Sequence, residues 1–174
     1  RSWKNCCNKP KAGYNVNARG GAIRPVWVNP METLRPAEER DFPAIRALIH
    51  SNHLNPTGLD WRRFAVVADE GGQVLACAQV KPHGQARELA SLAVLPEQRG
   101  RGLARRLVEH WLERTPRPLY LMCRPELESL YARFGFRAAR AGELPGYFRR
   151  ILRLFALLRR LGARSGPLVM VIEA

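Results

Sequence analysis

A single stretch, residues 92–104, constrains the fold of this chain more than any other. An apolar segment ends at Pro96, a turn containing Gly100 and Gly102 follows, and an amphipathic pattern begins at Leu103. Glycine allows backbone conformations that a side chain would block, so a strand can pass through a tight turn directly into a helix. The pattern therefore predicts a strand–turn–helix unit within an α/β domain.

Apolar segments on both sides of this unit predict the remaining elements. Runs bounded by Gly and Pro indicate strands, and apolar residues at helical spacing indicate helices. Because hairpins come first and strand–helix–strand crossovers follow, we expect one α/β domain. Its central sheet is predicted to be mixed and mostly antiparallel, flanked by helices, with an extra basic helix between the last two strands. Strands are predicted over residues 32–35, 64–68, 74–80, 89–95, 119–123, from Phe136 onward and over 168–172, and helices over about 41–49, 103–112, 126–133 and 147–161.

The 174 residues have the composition of one folded domain. Apolar residues make up 46% of them and charged residues 25%, which excludes a collagen, a disordered tail and a simple disulfide scaffold. No apolar run approaches the roughly 20 residues that a helix needs to cross a bilayer. With 29 Lys and Arg against 15 Asp and Glu, the net charge is +14. Such a charge predicts anionic partners: nucleic acid, an acidic membrane surface, phosphates or carboxylates.

The first 30 residues differ in composition from the rest of the chain. They hold six of the basic residues and none of the acidic ones, and they show neither a helical nor a strand period. Segments of this kind bury too little apolar surface to fold. We expect residues 1–30 to be disordered, or to be a non-native basic leader ahead of a natural start at Met31. Residues 31–174 are expected to form the domain.

The four cysteines predict neither a zinc site nor a disulfide framework. Cys6, Cys7, Cys77 and Cys123 include no CxxC pair and no cluster with histidine, and both kinds of site require such spacings. Cys77 and Cys123 lie within apolar runs and are expected to be small buried side chains. A reducing cytoplasm is the predicted location, although a basic leader without acids leaves organellar targeting open.

The glycine turn also has the features of an anion site. The first N–H groups of a helix lack partners within the helix, and the helix dipole adds partial positive charge there. A diphosphate fits such an end, and Arg99 and Arg101 can add direct charge. The turn has neither the GxxxxGK[ST] pattern of a nucleoside triphosphate loop nor the GxGxxG spacing of a dinucleotide fold. A tight connection without a ligand is the alternative.

Three segments resemble the GNAT acetyltransferases. Residues 99–104 (Arg-Gly-Arg-Gly-Leu-Ala) resemble the family's acetyl-coenzyme A pyrophosphate loop, [RQ]-x-x-G-x-[GA]. Residues 130–136 (Leu-Tyr-Ala-Arg-Phe-Gly-Phe) resemble its second signature, and residues 34–37, followed by Asp41 and Ile45, resemble its opening strand and helix. The resemblance covers about residues 31–140 and the closing strand over 168–172.

This resemblance implies acetyl-CoA as the donor and assigns roles by position. In the family, the strand before the loop splays from its neighbour and binds the pantetheine arm, and the loop amides hold the pyrophosphate. Tyr131 matches the tyrosine that family members often use to protonate the departing thiolate. The cofactor contacts implied here are the strand end, Leu92, Ala93 and Val94, and the loop with its first helical turn, Arg99, Gly100, Arg101, Gly102, Leu103, Ala104 and Arg105.

The chemistry of acetyl transfer is consistent with these roles. Aminolysis of a thioester needs a neutral amine, a donor for the oxyanion and a proton for the sulfur. A strand amide near Val94 can supply the donor, and Tyr131 the proton. The alternative is that Tyr131 only packs on Phe134 and Phe136.

The general base is less obvious from the sequence. Some relatives place a glutamate where this chain has Met122, and the asparagine that often precedes the tyrosine's helix is missing, because Arg124-Pro125 makes a shorter turn. Glu88, at the start of the cofactor-facing strand, is the candidate, acting directly or through water. The alternative is an edge carboxylate paired with Arg87 or another surface base. His50 and His83 are further candidates for the base, although we expect both to be surface histidines.

A basic segment lies between the last two predicted strands. Residues 144–164 hold six arginines and no acid. A helix here places Arg149, Arg150, Arg153 and Arg160 on one side and Phe148, Ile151, Leu152, Phe155 and Leu158 on the other. Three interpretations follow: a solvated basic face on a packed helix, recognition of an acidic acceptor, or docking over residues 149–164 on an anionic membrane or nucleic acid, with nucleic acid least favoured.

The resemblance implies an acetyl-CoA-dependent N-acetyltransferase that uses no metal. Residues 88–94 are similar to the acetyltransferase domain of N-acetylglutamate synthases, which favours an amino acid as the amine acceptor. Alternatives are a protein, peptide or polyamine acetyltransferase, although a basic body repels polyamines. A CoA-binding or basic adaptor protein without catalysis is a further alternative, and a homodimer is compatible with all of these.

Overall fold

The structure, a computed structural model, describes residues 32–160 and 166–173, with the backbone alone for residues 159 and 160. The predicted leader over residues 1–30 lies outside the described residues. The strands are β1 (Glu32–Pro36), β2 (Phe64–Asp69), β3 (Val74–His83), β4 (Ala86–Val94), β5 (Leu119–Cys123), β6 (Arg137–Ala138) and β7 (Leu168–Ile172). The helices are α1 (Phe42–Ser51), α2 (Leu103–Arg114), α3 (Glu128–Ala132) and α4 (Gly146–Arg160).

The strands form one sheet in the order β1-β2-β3-β4-β5-β7-β6. Only β4 and β5 are parallel, and the other described pairs are antiparallel. A parallel neighbour requires a crossover connection, and α2 supplies it between β4 and β5. The predicted mixed, mostly antiparallel sheet is therefore confirmed, and so is the extra helix α4 between the last two strands.

Apolar side chains cover both faces of this sheet. On one face, Leu103, Leu107 and Val108 of α2 pack on the central strands. On the other face, α1 buries Ile45, Leu48 and Ile49 against β2 and β3. Near β5 and β7 the same face is covered by the first turn of α4, where Phe148 is fully buried. Helices α1 and α2 and the first turn of α4 thus turn apolar residues toward the sheet, as the helical spacing predicts. Phe155 and Leu158, predicted on the same apolar side of α4 as Phe148, are instead exposed, because the second half of α4 is not packed on the sheet.

Several predicted elements differ in length from those observed. Strand β3 extends to His83 rather than to residue 80, and β4 spans Ala86–Val94 rather than residues 89–95. The helix predicted from residue 126 begins at Glu128, because Pro125–Leu127 forms a 3-10 turn first. The strand predicted from Phe136 onward has only two residues. It ends because Glu143 accepts hydrogen bonds from the Arg140 amide (3.0 Å) and the Arg137 guanidinium (2.8 Å), which closes a turn after the strand.

Candidate active site

The parallel strands β4 and β5 separate at the centre of the sheet. They pair only at Arg87–Leu119, Glu88–Tyr120 and Leu89–Leu121. Beyond Leu89, β4 continues alone on that side to Val94, while β5 stays paired with β7 as far as Cys123. The peptide groups of residues 90–94 that face β5 therefore have no sheet partner there. Buried peptide groups without partners are costly, so this gap is suited to a ligand that bonds along a strand.

A β-bulge accompanies the separation. The β3–β4 register shifts between Cys77 and Gln79, and Ser91 on the opposite strand has a φ of +56°. A bulge bends its strand and increases its twist, which re-aims the segment that follows. The Gln79 amide donates a 2.9 Å hydrogen bond to Ser91 Oγ and fixes the bulge from the other strand. Positive φ at a residue other than glycine is strained and is often found at functional sites.

Beyond β4 the glycine loop leads directly into α2. Gly100 and Gly102 have φ values of +79° and +81°, and α2 begins at Leu103. A Cβ added to Gly100 would meet no atom within 4 Å, so the backbone conformation and not crowding requires glycine there. The helical ladder begins with the Arg106 amide donating to Gly102 O. The amides of the first turn before it have no partner within the helix and can bind an anion.

The arginines of the loop have different partners. Arg99 is exposed and donates to the neutral side chain of Asn52 (2.8 Å), so its charge stays available for an anion. Arg101 instead binds the buried carboxylate of Glu32 at 2.6 Å, and Arg106 binds the same carboxylate at 2.9 Å. The direct charge predicted for Arg101 is thus shared with Glu32. Through these two ion pairs, Glu32 links β1 to the glycine loop and to α2.

Tyr131 lies on the α2 face of the sheet, in the same core as the end of β4. Its ring is buried and meets the edge of Phe136, with the ring centroids 6.2 Å apart. Burial raises the pKa of Tyr131 to about 12. The phenol therefore stays protonated throughout the neutral range, and it is better suited to donating a hydrogen bond than to losing its proton completely.

Glu88 lies on the opposite face of the sheet, buried and paired with a histidine. Its Oε2 atom is 2.7 Å from His83 Nε2, and the His83 ring stacks on Tyr147 of α4 at a centroid distance of 3.6 Å. The prediction of a surface His83 is therefore wrong, whereas His50 is exposed as predicted. The alternative pairing of Glu88 with Arg87 is also wrong. The reason is the β3–β4 hairpin, which places His83 and Glu88 diagonally on one face, where α4 covers them.

Two further polar side chains on this face were missed by sequence reasoning. Gln79 is fully buried, and its Oε1 atom has no hydrogen-bond partner among the described residues. Lys81 is buried opposite Glu88 in the β3–β4 register and donates to Thr57 O at 2.7 Å. Burial lowers the pKa of Lys81, and the Glu88 carboxylate acts in the opposite direction. In the sequence, residues 79, 81 and 83 alternate with apolar residues. This period of two is typical of a strand, and it could have indicated that the three polar side chains share one face of the sheet.

The gap between β4 and β5 leads along β4 into the glycine loop. The polar side chains of Gln79, Lys81, His83 and Glu88 lie beside the first half of β4, on the face of the sheet opposite Tyr131. The sequence profile of the acetyltransferase (GNAT) domain matches residues 60–138, from just before β2 to the end of β6. The chain contains a GNAT acetyltransferase domain. The resemblance predicted from residues 99–104 and 130–136 is thereby confirmed. No curated protein matches the sequence significantly.

Solved structures share the fold of this GNAT domain. N-acetylglutamate synthase from Neisseria gonorrhoeae, complexed with coenzyme A and L-arginine, superposes with a TM-score of 0.65 at 23% identity over 82% of this chain and 33% of that chain. Rv2747 from Mycobacterium tuberculosis, in complex with CoA and NLQ, has a TM-score of 0.63 at 19% identity over 82% and 99%. The ribosomal-protein-S18-alanine N-acetyltransferase from Escherichia coli has a TM-score of 0.55 at 20% identity over 82% and 94%. The chain spans about one third of the synthase's length.

The described part of the chain contains neither a helix able to cross a membrane nor a cluster of metal ligands. Within residues 32–160 and 166–173, no helix has both the length and the apolar character needed to cross a membrane. The same residues contain no group of three or more His, Cys, Asp and Glu side chains placed to hold a metal ion.

Proposed function

We propose that this chain is an acetyl-CoA-dependent N-acetyltransferase that transfers the acetyl group to a primary amine by direct attack. The observation that carries the proposal is the separation of β4 from β5 directly before a glycine loop that opens α2. Unpaired strand amides and first-turn helix amides then lie in sequence along one path. A thioester carrier with an amide-containing arm and a diphosphate needs both kinds of partner, in that order.

The residues assigned to the carrier fit it in this structure. The open space at Gly100 allows a diphosphate to approach the peptide groups, and the exposed Arg99 can add charge. Backbone groups of residues 92–94 are available to the arm, since β5 does not pair with them. One of these N–H groups can also bond the thioester oxygen, on which negative charge develops as the amine attacks. We also propose residues 31–174 as the catalytic domain.

Glu88 is proposed as the general base. An amine acceptor is protonated near neutral pH and must lose a proton before it can attack. Glu88 is a buried carboxylate, and its hydrogen bond to His83 Nε2 holds it in one orientation. His83 is itself fixed by stacking on Tyr147, so we assign it as a positioning residue for Glu88.

Tyr131 is proposed as the hydrogen-bond donor to the departing sulfur. It lies on the cofactor side of the sheet, in one core with Leu92 and Val94. With its pKa raised to about 12 by burial, the phenol keeps its proton throughout the neutral range. It can therefore stabilise the developing thiolate while solvent supplies the final proton.

We expect Tyr131→Phe to lower kcat roughly 100-fold, the usual cost of removing one donor to developing charge. The KM for acetyl-CoA should change little, because the ring keeps its packing against Phe136. Steady-state kinetics at saturating amine measure both quantities. An unchanged kcat would leave Tyr131 with packing as its only role.

An amino acid is the proposed acceptor. The buried Lys81 and the unpartnered Gln79 Oε1 lie on the face that holds Glu88. A carboxylate suits the lysine, and the N–H groups of an amine suit the glutamine oxygen. The synthase from Neisseria gonorrhoeae has also been solved with coenzyme A and N-acetyl-glutamate, at 22% identity. A cytoplasmic location belongs to the same proposal, and the two buried free thiols, Cys77 and Cys123, support a reducing compartment.

The experiment that tests the function is release of free CoA from acetyl-CoA on addition of a panel of amines. The panel contains amino acids, their carboxyl amides, peptides with free amino termini, and polyamines. We expect release with amino acids and a clear loss with the matched amides, because the amides remove the carboxylate. Release with peptides or polyamines alone would replace the proposed acceptor. Binding of CoA without release for any amine would favour a non-catalytic CoA-binding protein.

A further inference from the structure

The second half of α4 exposes an unusual amount of apolar surface. Phe148 in its first turn is fully buried, but Leu154 is 55% exposed and Leu157 is 56% exposed. Phe155 and Leu158 are also exposed. The described part of the chain exposes five large apolar side chains, and four of them are these residues of α4. Scattered apolar residues are ordinary on a protein surface, whereas four within five positions form a patch.

Arginines lie within this patch. At 100° per residue, Arg150, Leu154 and Leu157 fall within about 60° of one another, on the side opposite Phe148. Arg149 and Arg153 border the same side, and all three arginines are exposed. The sequence-based prediction of a solvated basic face did not place Leu154 and Leu157, which lie among its arginines and are exposed with them.

No carboxylate within the described residues neutralises these arginines. The helix α4 has no acidic residue, and none of its three described arginine side chains forms a salt bridge there. The nearest carboxylates along the chain are Glu143 and Glu173, and both bind Arg137, at 2.8 and 2.6 Å. The positive charge of this face is thus available to an external anion.

We propose that the exposed face of α4, defined by Arg149, Arg150, Arg153, Leu154 and Leu157, docks on an anionic lipid bilayer. Arginines bind lipid phosphates and leucines enter the boundary of the acyl chains, which is the composition that interfacial helices use. The face belongs to a single helix, and all five of its side chains are exposed. A soft bilayer accepts a convex helix, whereas a peptide ligand requires a groove.

Other occupants fit this face less well. A second copy of the chain would bring arginines against arginines, and like charges repel. A nucleic acid would bind the arginines but leave the leucines in water. Docking also leaves the fold intact, because Phe148 and Tyr147 hold the first turn of α4 on the sheet.

The test is co-sedimentation of the full chain with vesicles of phosphatidylcholine, with and without about one third phosphatidylserine. We expect binding only to the anionic vesicles, and weaker binding as salt rises. The triple variant Arg149→Gln/Arg150→Gln/Arg153→Gln should bind anionic vesicles more weakly, by roughly fivefold for each arginine removed. Leu154→Ser/Leu157→Ser should weaken binding by roughly tenfold or more. The matched controls are Arg46→Gln on α1 and Leu130→Ser on α3, which should bind as wild type.

Hydrogen exchange on the same samples locates the contact, because other basic parts of the chain can also attract anionic vesicles. Amides of residues 150–158 should gain protection with anionic vesicles and not with phosphatidylcholine alone. The proposal is overturned by an absence of binding, by leucine variants that bind as wild type, or by protection elsewhere only. It is also overturned if the leucine variants abolish a dimer instead of vesicle binding.

Discussion

Replacing Gly100 with valine is expected to lower the affinity for CoA by roughly 100-fold or more, an effect equal to the loss of about two charge-assisted hydrogen bonds. The residue has a φ of +79°, which a β-branched side chain rarely adopts, so the loop must rearrange. Rearrangement moves the first-turn amides away from the diphosphate. The added side chain also fills space that no protein atom occupies within 4 Å.

Gly72 provides a matched control for this change. It lies in the β2–β3 hairpin with a φ of +81°, and its Cβ position is also open. Gly72→Val should therefore cost similar stability without affecting the ligand. The rise in Tm on addition of CoA measures affinity for both variants against their own ligand-free values. Equal rises in Tm for the two variants would remove the glycine loop from the binding site.

Replacing Glu88 with glutamine is expected to lower kcat/KM by roughly 100- to 10,000-fold, the range that general bases contribute. Glutamine keeps the size of the side chain and can still accept the hydrogen bond from His83, so packing should be retained. It cannot take a proton from the acceptor's ammonium group. Affinity for CoA should stay within the error of measurement, because Glu88 faces away from α2 and its loop.

The conservative variant Glu88→Asp separates this role from a structural one, because it keeps a carboxylate that can accept a proton. We expect part of the lost kcat/KM to return in Glu88→Asp and none in Glu88→Gln. Glu70→Gln, in the exposed turn between β2 and β3, is the control and should keep the wild-type rate. A Glu88→Gln variant with the wild-type rate would mean that the base is elsewhere.

Local patterns in the sequence were sufficient for most of the fold and for the loop. The strand ending before Pro96, the glycines at 100 and 102 and the helix from Leu103 depend on neighbouring residues, so a linear pattern predicts them. The same reasoning places Tyr131 on a short helix after β5. The candidate cofactor residues are close in sequence, so the order strand, loop and helix is enough to predict where they lie in the fold.

The acceptor side could not be predicted in the same way, because its contacts join distant parts of the chain. His83 stacks on Tyr147, which lies 64 residues later in the sequence. The two rings meet only because α4 packs back on the sheet. Glu32 binds Arg101 across a separation of 69 residues. The separation of β4 from β5 depends on a bulge at Ser91, and an Ala-Ser-Leu sequence carries no signal for positive φ.

The leucines of α4 show the limit of helical periodicity. The spacing placed Phe148 correctly on the buried side of the helix. It could not show that the packed side ends after about two turns, because that depends on where the sheet ends beneath the helix. The exposed Leu154 and Leu157 are the result.

The central claim is that the loop at Gly100 and Gly102, with the separated end of β4, binds the diphosphate-bearing thioester carrier. Isothermal titration calorimetry of the purified chain with acetyl-CoA and with free CoA tests it most directly. We predict saturable binding of both compounds at one molecule per chain, weakened roughly 100-fold or more in Gly100→Val and retained in Gly72→Val. A folded chain that gives no binding heat with either compound at any of several temperatures would contradict the account.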